Sequence, residues 1–65
     1  MNHVRRIRRL EDMTQYELSK KTKISQSSLS LIERFYKQPN HKMKKKISRV
    51  LGYPIEEIFP EKNKR

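Results

Sequence analysis

The chain has 65 residues, with 17 Lys and Arg against 7 Asp and Glu, no Cys, and a formal charge of +10. A domain this short buries only roughly 60% of the surface its unfolded chain exposes, so a second core is excluded. Without Cys there is no disulfide framework, and His3 and His41 are too few for a four-ligand zinc site. No apolar run approaches the roughly 20 residues that span a bilayer, and the arginines between Val4 and Leu10 interrupt the stretch that a signal peptide would need. A cytoplasmic location is therefore expected, or the nucleoid in a bacterium. The excess of positive charge calls for a polyanionic partner, with nucleic acid and anionic membrane as the two candidates.

From His3 to Leu10 the apolar residues Val4, Ile7 and Leu10 recur every three positions among Arg5, Arg6, Arg8 and Arg9, which predicts a short first helix. Thr14 precedes Glu17 by three residues, a capping box that starts a second helix at Gln15. That helix carries Leu18 inward beside the small Ser19 and is expected to stop near Thr22. Ser25 is a good N-cap for a third helix, with Leu29 and Ile32 on its buried face and its end at Arg34. A loop from Phe35 to Asn40 follows and contains Pro39. Asn40 caps a fourth helix whose apolar side is Met43, Ile47, Val50 and Leu51, and Gly52 ends it. Pro54 suits the first turn of a short fifth helix, with Glu56 and Glu57 at the positive end of its dipole and Ile58 and Phe59 facing the core. After Pro60 the residues 61–65 read as a frayed basic tail. Nothing reads as a strand or a repeat.

The stretch from Gln15 to Arg34 carries the most information: helix, a turn of about three residues, and helix within one short span. Two helices that close must cross steeply, burying Leu18, Ile24, Leu29 and Ile32, with Ser19 small where they approach. The second helix of such a unit projects from the domain and fits the major groove of double-stranded DNA.

The run Met13-Thr14-Gln15, Glu17-Leu18-Ser19, Ile24-Ser25, Leu29-Ser30, Ile32-Glu33-Arg34, Pro39, Ile47, Val50-Leu51-Gly52 and Ile55 to Phe59 resembles the Cro and phage-repressor class of helix-turn-helix proteins, the Xre family. The resemblance covers nearly the whole chain. It implies an all-α, compact, five-helix lambda-repressor-like domain over residues 1–60, with the helix-turn-helix at about 15–34, binding an operator as a homodimer on an inverted repeat. Lys23 stands where the family usually has Gly, as do Asp12 and Phe35, while Thr22 and Lys44 fall where apolar residues are usual. A smaller core is expected from these departures, and a strain of roughly 1 to 2 kcal/mol if Lys23 takes a positive φ.

By position on the resembling motif, Gln26, Ser27, Ser30 and Leu31 would reach base edges. Gln can grip adenine with both groups of its amide, Ser can donate or accept, and Leu can touch a thymine methyl, so the contacted steps are expected to be A·T pairs. The alternative leaves Gln26 and Ser27 as solvated first-turn residues and Leu31 as an ordinary exposed leucine. Gln15, Ser25, Ser28, Arg34, Lys37, Gln38, Asn40 and Lys42 are the expected backbone contacts, each of which could instead be merely solvated. Arg8 and Glu33 resemble a structural ion pair, against the alternative that Arg8 binds phosphate. The run Lys42, Lys44, Lys45, Lys46 and Arg49 is read as the solvated face of the fourth helix, adding to the field.

Scattered acids and two isolated histidines make no catalytic set, so neither an enzyme nor a cofactor is expected. An operator-binding regulator, most simply a repressor, is the leading reading. A protein-interaction module such as an antitoxin or accessory subunit is the alternative and would require an exposed apolar patch. Binding to lipid or RNA by charge alone is disfavoured by the uncharged Gln26, Ser27, Ser28 and Ser30 on the projecting helix. The apolar residues best placed for a dimer contact are Ile55, Ile58 and Phe59, whose other role would be to close the domain's own core.

Overall fold

The computed structural model describes residues 1–60; the basic tail expected at 61–65 lies outside the described residues. Five helices follow in order and no strand occurs among the described residues: α1 Val4–Leu10, α2 Gln15–Thr22, α3 Gln26–Glu33, α4 His41–Leu51 and α5 Ile55–Ile58. The helices packed on one another are α2 with α3 and with α4, α1 with α3, and α5 with α4.

Side-chain caps set most of the starts. At α2 the Thr14 hydroxyl accepts the Glu17 N–H at 3.0 Å and the Glu17 carboxylate accepts the Thr14 N–H at 2.8 Å, closing the capping box. Ser25 accepts from Ser28 N–H at 3.1 Å and Asn40 from Met43 N–H at 2.9 Å. Substituting such a cap by Ala typically costs about 1 kcal/mol. Three boundaries differ by one residue from the sequence reading. The first helix starts at Val4 rather than His3, its N–H taken by the Asn2 side chain at 3.1 Å. The third ends at Glu33, with Arg34 as its cap, and Pro54 precedes α5 instead of forming its first turn.

The ends of α2 and α4 share one device. Lys23 and Gly52 both take left-handed conformations, φ 64 and φ 79, and return their N–H to the carbonyls of Ser19 and Ser48. Each of those serines then donates its hydroxyl to the carbonyl just past the cap, Ser19 to Ile24 at 2.6 Å and Ser48 to Tyr53 at 2.5 Å. Ser19 is thus small because its hydroxyl must fold back into the turn between α2 and α3.

The core is formed by Val4, Ile7, Leu18, Ile24, Leu29, Ile32, Ile47, Leu51, Ile58 and Phe59. Each fully buried aliphatic side chain contributes about 1.5 to 3 kcal/mol. Leu10 does not join them: it is 66% exposed, contrary to its place in the three-residue periodicity. Three residues fall short of a helical turn, so a strict spacing of three drifts by about 60° per step and carries the third member off the buried face. Thr22, at a position usually apolar, is buried with its hydroxyl donating to the Leu18 carbonyl at 2.7 Å, so no polar atom is stranded. Lys44, the other such position, is half-buried and lays its ammonium 5.5 Å from the centre of the Phe59 ring.

Candidate nucleic-acid interface

The helix-turn-helix unit is held by charge as well as by apolar contact. Arg8 of α1 donates from Nε to Glu33 at 2.8 Å and from a terminal nitrogen to the second carboxylate oxygen at 3.1 Å, a bidentate pair. A further donor of Arg8 reaches the Met13 carbonyl at 2.9 Å. The Gln15 amide donates to Glu33 at 3.3 Å. Four segments are joined through the Arg8–Glu33 pair: α1 and the first residue of α2 donate to the carboxylate at the end of α3, and Arg8 also holds the carbonyl of the residue before the capping box. Their convergence fixes how far α3 projects. Arg8 is thereby engaged inside the fold, which takes it out of phosphate binding.

On α3 the buried residues Leu29, Ile32 and Glu33 fall on one side. At 3.6 residues per turn, positions 26, 27, 30 and 31 occupy an arc of about 140° on the other side. Gln26 and Ser27 are exposed, Ser30 is half-buried, and Leu31 is 39% exposed. The arc therefore offers a primary amide, two hydroxyls and one aliphatic side chain, with no charge on it.

Of the eight expected backbone contacts, Ser28 is half-buried and its hydroxyl accepts from Lys37; the other seven fall into two groups. Arg34, Lys37, Gln38 and Lys42 are exposed along the segment that leaves α3 and enters α4. Lys37 is drawn towards the start of α3 by its ammonium, 3.4 Å from the Ser28 hydroxyl, and the N–H groups of Tyr36 and Lys37 both donate to the Leu31 carbonyl. The loop thus folds back beside the projecting helix. Gln15, Ser25 and Asn40 differ because their side chains already serve the fold. The Gln15 amide donates one of its two hydrogens to Glu33 and the residue is half-buried, which leaves the second amide hydrogen and the N–H groups of the first turn of α2 that the capping box does not use as available donors. Ser25 and Asn40 use an oxygen as a cap acceptor and keep an O–H and an NH2 as donors.

Two features went unseen in the sequence. Tyr16 is 58% exposed at the start of α2, with the Lys20 ammonium 5.4 Å from its ring centre. The apolar moment alone carries no signal for it. Asn2 donates to the Ile32 carbonyl at 2.9 Å, tying the chain before α1 to the end of α3. Away from this surface, Tyr53 donates to Glu11 at 3.3 Å, and that hydrogen bond and charge raise the phenol above its usual pKa of 10.0.

A family model described as helix-turn-helix, of the Cro and phage-repressor, Xre-like type, matches residues 4–58, from the first residue of α1 to the last of α5. The chain belongs to this family. A search among curated proteins gives no significant match. As an Xre-like helix-turn-helix protein it is a DNA-binding transcriptional regulator. Three of its departures from the family pattern share a geometry: Asp12, Lys23 and Phe35 all adopt positive φ, at 56, 64 and 67. These are the positions where the Xre-like pattern favours Gly, so the fold keeps the backbone and accepts the strain. No described helix of this Xre-like chain is long and apolar enough to cross a membrane.

Proposed function

We propose that this Xre-like regulator is a sequence-specific repressor that inserts α3 into the major groove of its operator. Gln26, Ser27, Ser30 and Leu31 meet base edges, and Gln15, Ser25, Ser28, Arg34, Lys37, Gln38, Asn40 and Lys42 hold the phosphodiester backbone on either side. The observation that carries the reading is the uncharged arc of α3 set beside a basic loop. Charge at the flanks and hydrogen-bonding groups at the centre separate positioning from readout. Gln26 is suited to adenine and Leu31 to a thymine methyl, so the preferred half-site contains A·T steps at those positions.

The operator is an inverted repeat bound by two copies, because one short helix reads too few bases for useful specificity. Ile58 and Phe59 belong to the domain's own core, which corrects their candidacy for the contact between copies. Ile55 is half-buried and remains available. A contact built around one such residue is small, so dimers form on DNA rather than ahead of it.

Selection of duplexes from a random pool tests the proposal. Against the selected duplex, Gln26→Ala loses about 1 to 3 kcal/mol of binding, while binding to random DNA hardly changes. Equal losses on both duplexes would make Gln26 a backbone or helix-start residue. A protein-interaction module such as an antitoxin or accessory subunit is the second reading, favoured by the exposed Leu10, Phe35 and Tyr36. Failure of the pool to yield any preferred sequence would favour it.

A further inference from the structure

The outer face of α1 and the segment that leaves α3 enclose a groove of about 910 Å³. Three of its lining residues are apolar or aromatic and largely exposed: Leu10, Phe35 and Tyr36 at 66%, 57% and 72%. Arg5, Arg6, Arg9 and Arg34 line it as well. Among the described residues, none of these four guanidinium groups is in a salt bridge, since Glu33, the acid at the groove, is taken by Arg8. Exposed apolar surface rimmed by charge marks an interaction site.

Phe35 adds a second, independent observation. An aromatic residue at φ 67 is strained, and its ring, 57% exposed, gains little burial in return. A Gly or Asn would make the same turn without that cost. The ring stands in the groove beside Tyr36, over which the Arg34 guanidinium lies at 5.4 Å from the ring centre.

We propose that this groove binds an acidic, amphipathic peptide segment of a partner protein, whose apolar side chains cover Leu10 and Phe35 while its carboxylates meet Arg5, Arg6 and Arg9 of α1, leaving Arg34 to the DNA backbone. Charge complementarity selects this occupant. A second copy of the chain would bring its own charge of +10 against the same arginines. Duplex DNA would satisfy the arginines, but its sugar-phosphate edge has little apolar surface for the leucine and the phenylalanine. The groove borders the loop that begins with Arg34 and carries Lys37, so a bound segment sits next to operator DNA without occupying α3. The proposal does not depend on which bases α3 reads.

The test uses the full chain and a fluorescent, helix-forming, glutamate-rich peptide with one Phe and one Leu spaced to share a helix face. A second peptide keeps the glutamates and replaces both apolar residues by Ser. The expected result is at least tenfold tighter binding of the apolar-bearing peptide, with amide NMR shifts concentrated in Arg5–Leu10 and Arg34–Tyr36. The double substitution Leu10→Gln with Phe35→Asn should weaken that peptide at least tenfold and leave binding to the selected duplex unchanged. Equal affinity of the two peptides for the unsubstituted protein would overturn the proposal whatever the variant's fold. So would shifts centred on Lys42, Lys45 and Lys46, or a fall in duplex affinity in a variant that still melts cooperatively, which would assign the groove to DNA.

Discussion

Glu33→Ala isolates the contribution of the network that orients α3. The side chains of Arg8 and Glu33 are 11% and 4% exposed, so the pair belongs with buried ion pairs rather than with exposed ones worth about 0 to 1 kcal/mol. Removing one partner of a buried pair costs about 3 to 5 kcal/mol, because the other charge stays desolvated and unpaired. In this variant Arg8 would keep the Met13 carbonyl alone, and the Gln15 amide would lose its acceptor. A domain of this length has about 3 to 10 kcal/mol to lose at the usual stability per residue. With each kcal/mol lowering the melting temperature of a small domain by about 4 to 8 °C, Glu33→Ala should melt at least about 12 °C lower. Urea unfolding followed by circular dichroism measures the free energy directly, and Lys45→Ala on the exposed face of α4 should change it by under about 0.5 kcal/mol. The double variant Arg8→Met with Glu33→Leu removes both charges together and should recover most of the loss. A cost below about 1 kcal/mol for Glu33→Ala would refute the reasoning, since the pair would then behave as a solvated one.

Lys23→Gly should raise stability by about 1 kcal/mol, because φ 64 is strained for lysine and free for glycine; a loss in the same urea experiment would mean that the lysine stem contributes more than the strain costs. Sedimentation with the selected duplex should give two proteins per duplex and mostly monomer without DNA; one protein per duplex, on a site lacking inverted symmetry, would remove the dimer. For Tyr53, whose folded pKa is raised by Glu11, the stabilisation is complete below the unfolded value near 10.0 and disappears as pH rises through the folded value. Ultraviolet titration of Glu11→Gln should therefore return the phenol towards its ordinary pKa, and an unchanged titration would show that Glu11 is not the cause.

Start signals made the helices readable. Thr14, Ser25 and Asn40 each act on an N–H three residues ahead, so their effect is local and stands in the sequence. What escaped depends on residues far apart. The bond from Asn2 to the Ile32 carbonyl spans 30 positions and has no local pattern, and the bond from Gln15 to Glu33 redirects a side chain that would otherwise count as free. Leu10 departs from the buried face because a spacing of three matches the helical period for one step, Val4 to Ile7, and has drifted by about 120° at the next. The groove at Leu10, Phe35 and Tyr36 has no local pattern either: it exists only once the turn after α3 comes back beside α1.

The His3 N–H donates to the Ile58 carbonyl at 2.8 Å, which puts the two ends of the five-helix frame in contact. A five-helix frame whose first and last residues meet can be spliced. A short linker between them and a new opening in the exposed Lys37–Gln38 segment would give a circular permutant with the same core, at the loss of the loop that folds back beside α3. Equally, the whole frame could be inserted into a surface loop of another protein without stretching the host, because entry and exit lie a single hydrogen bond apart.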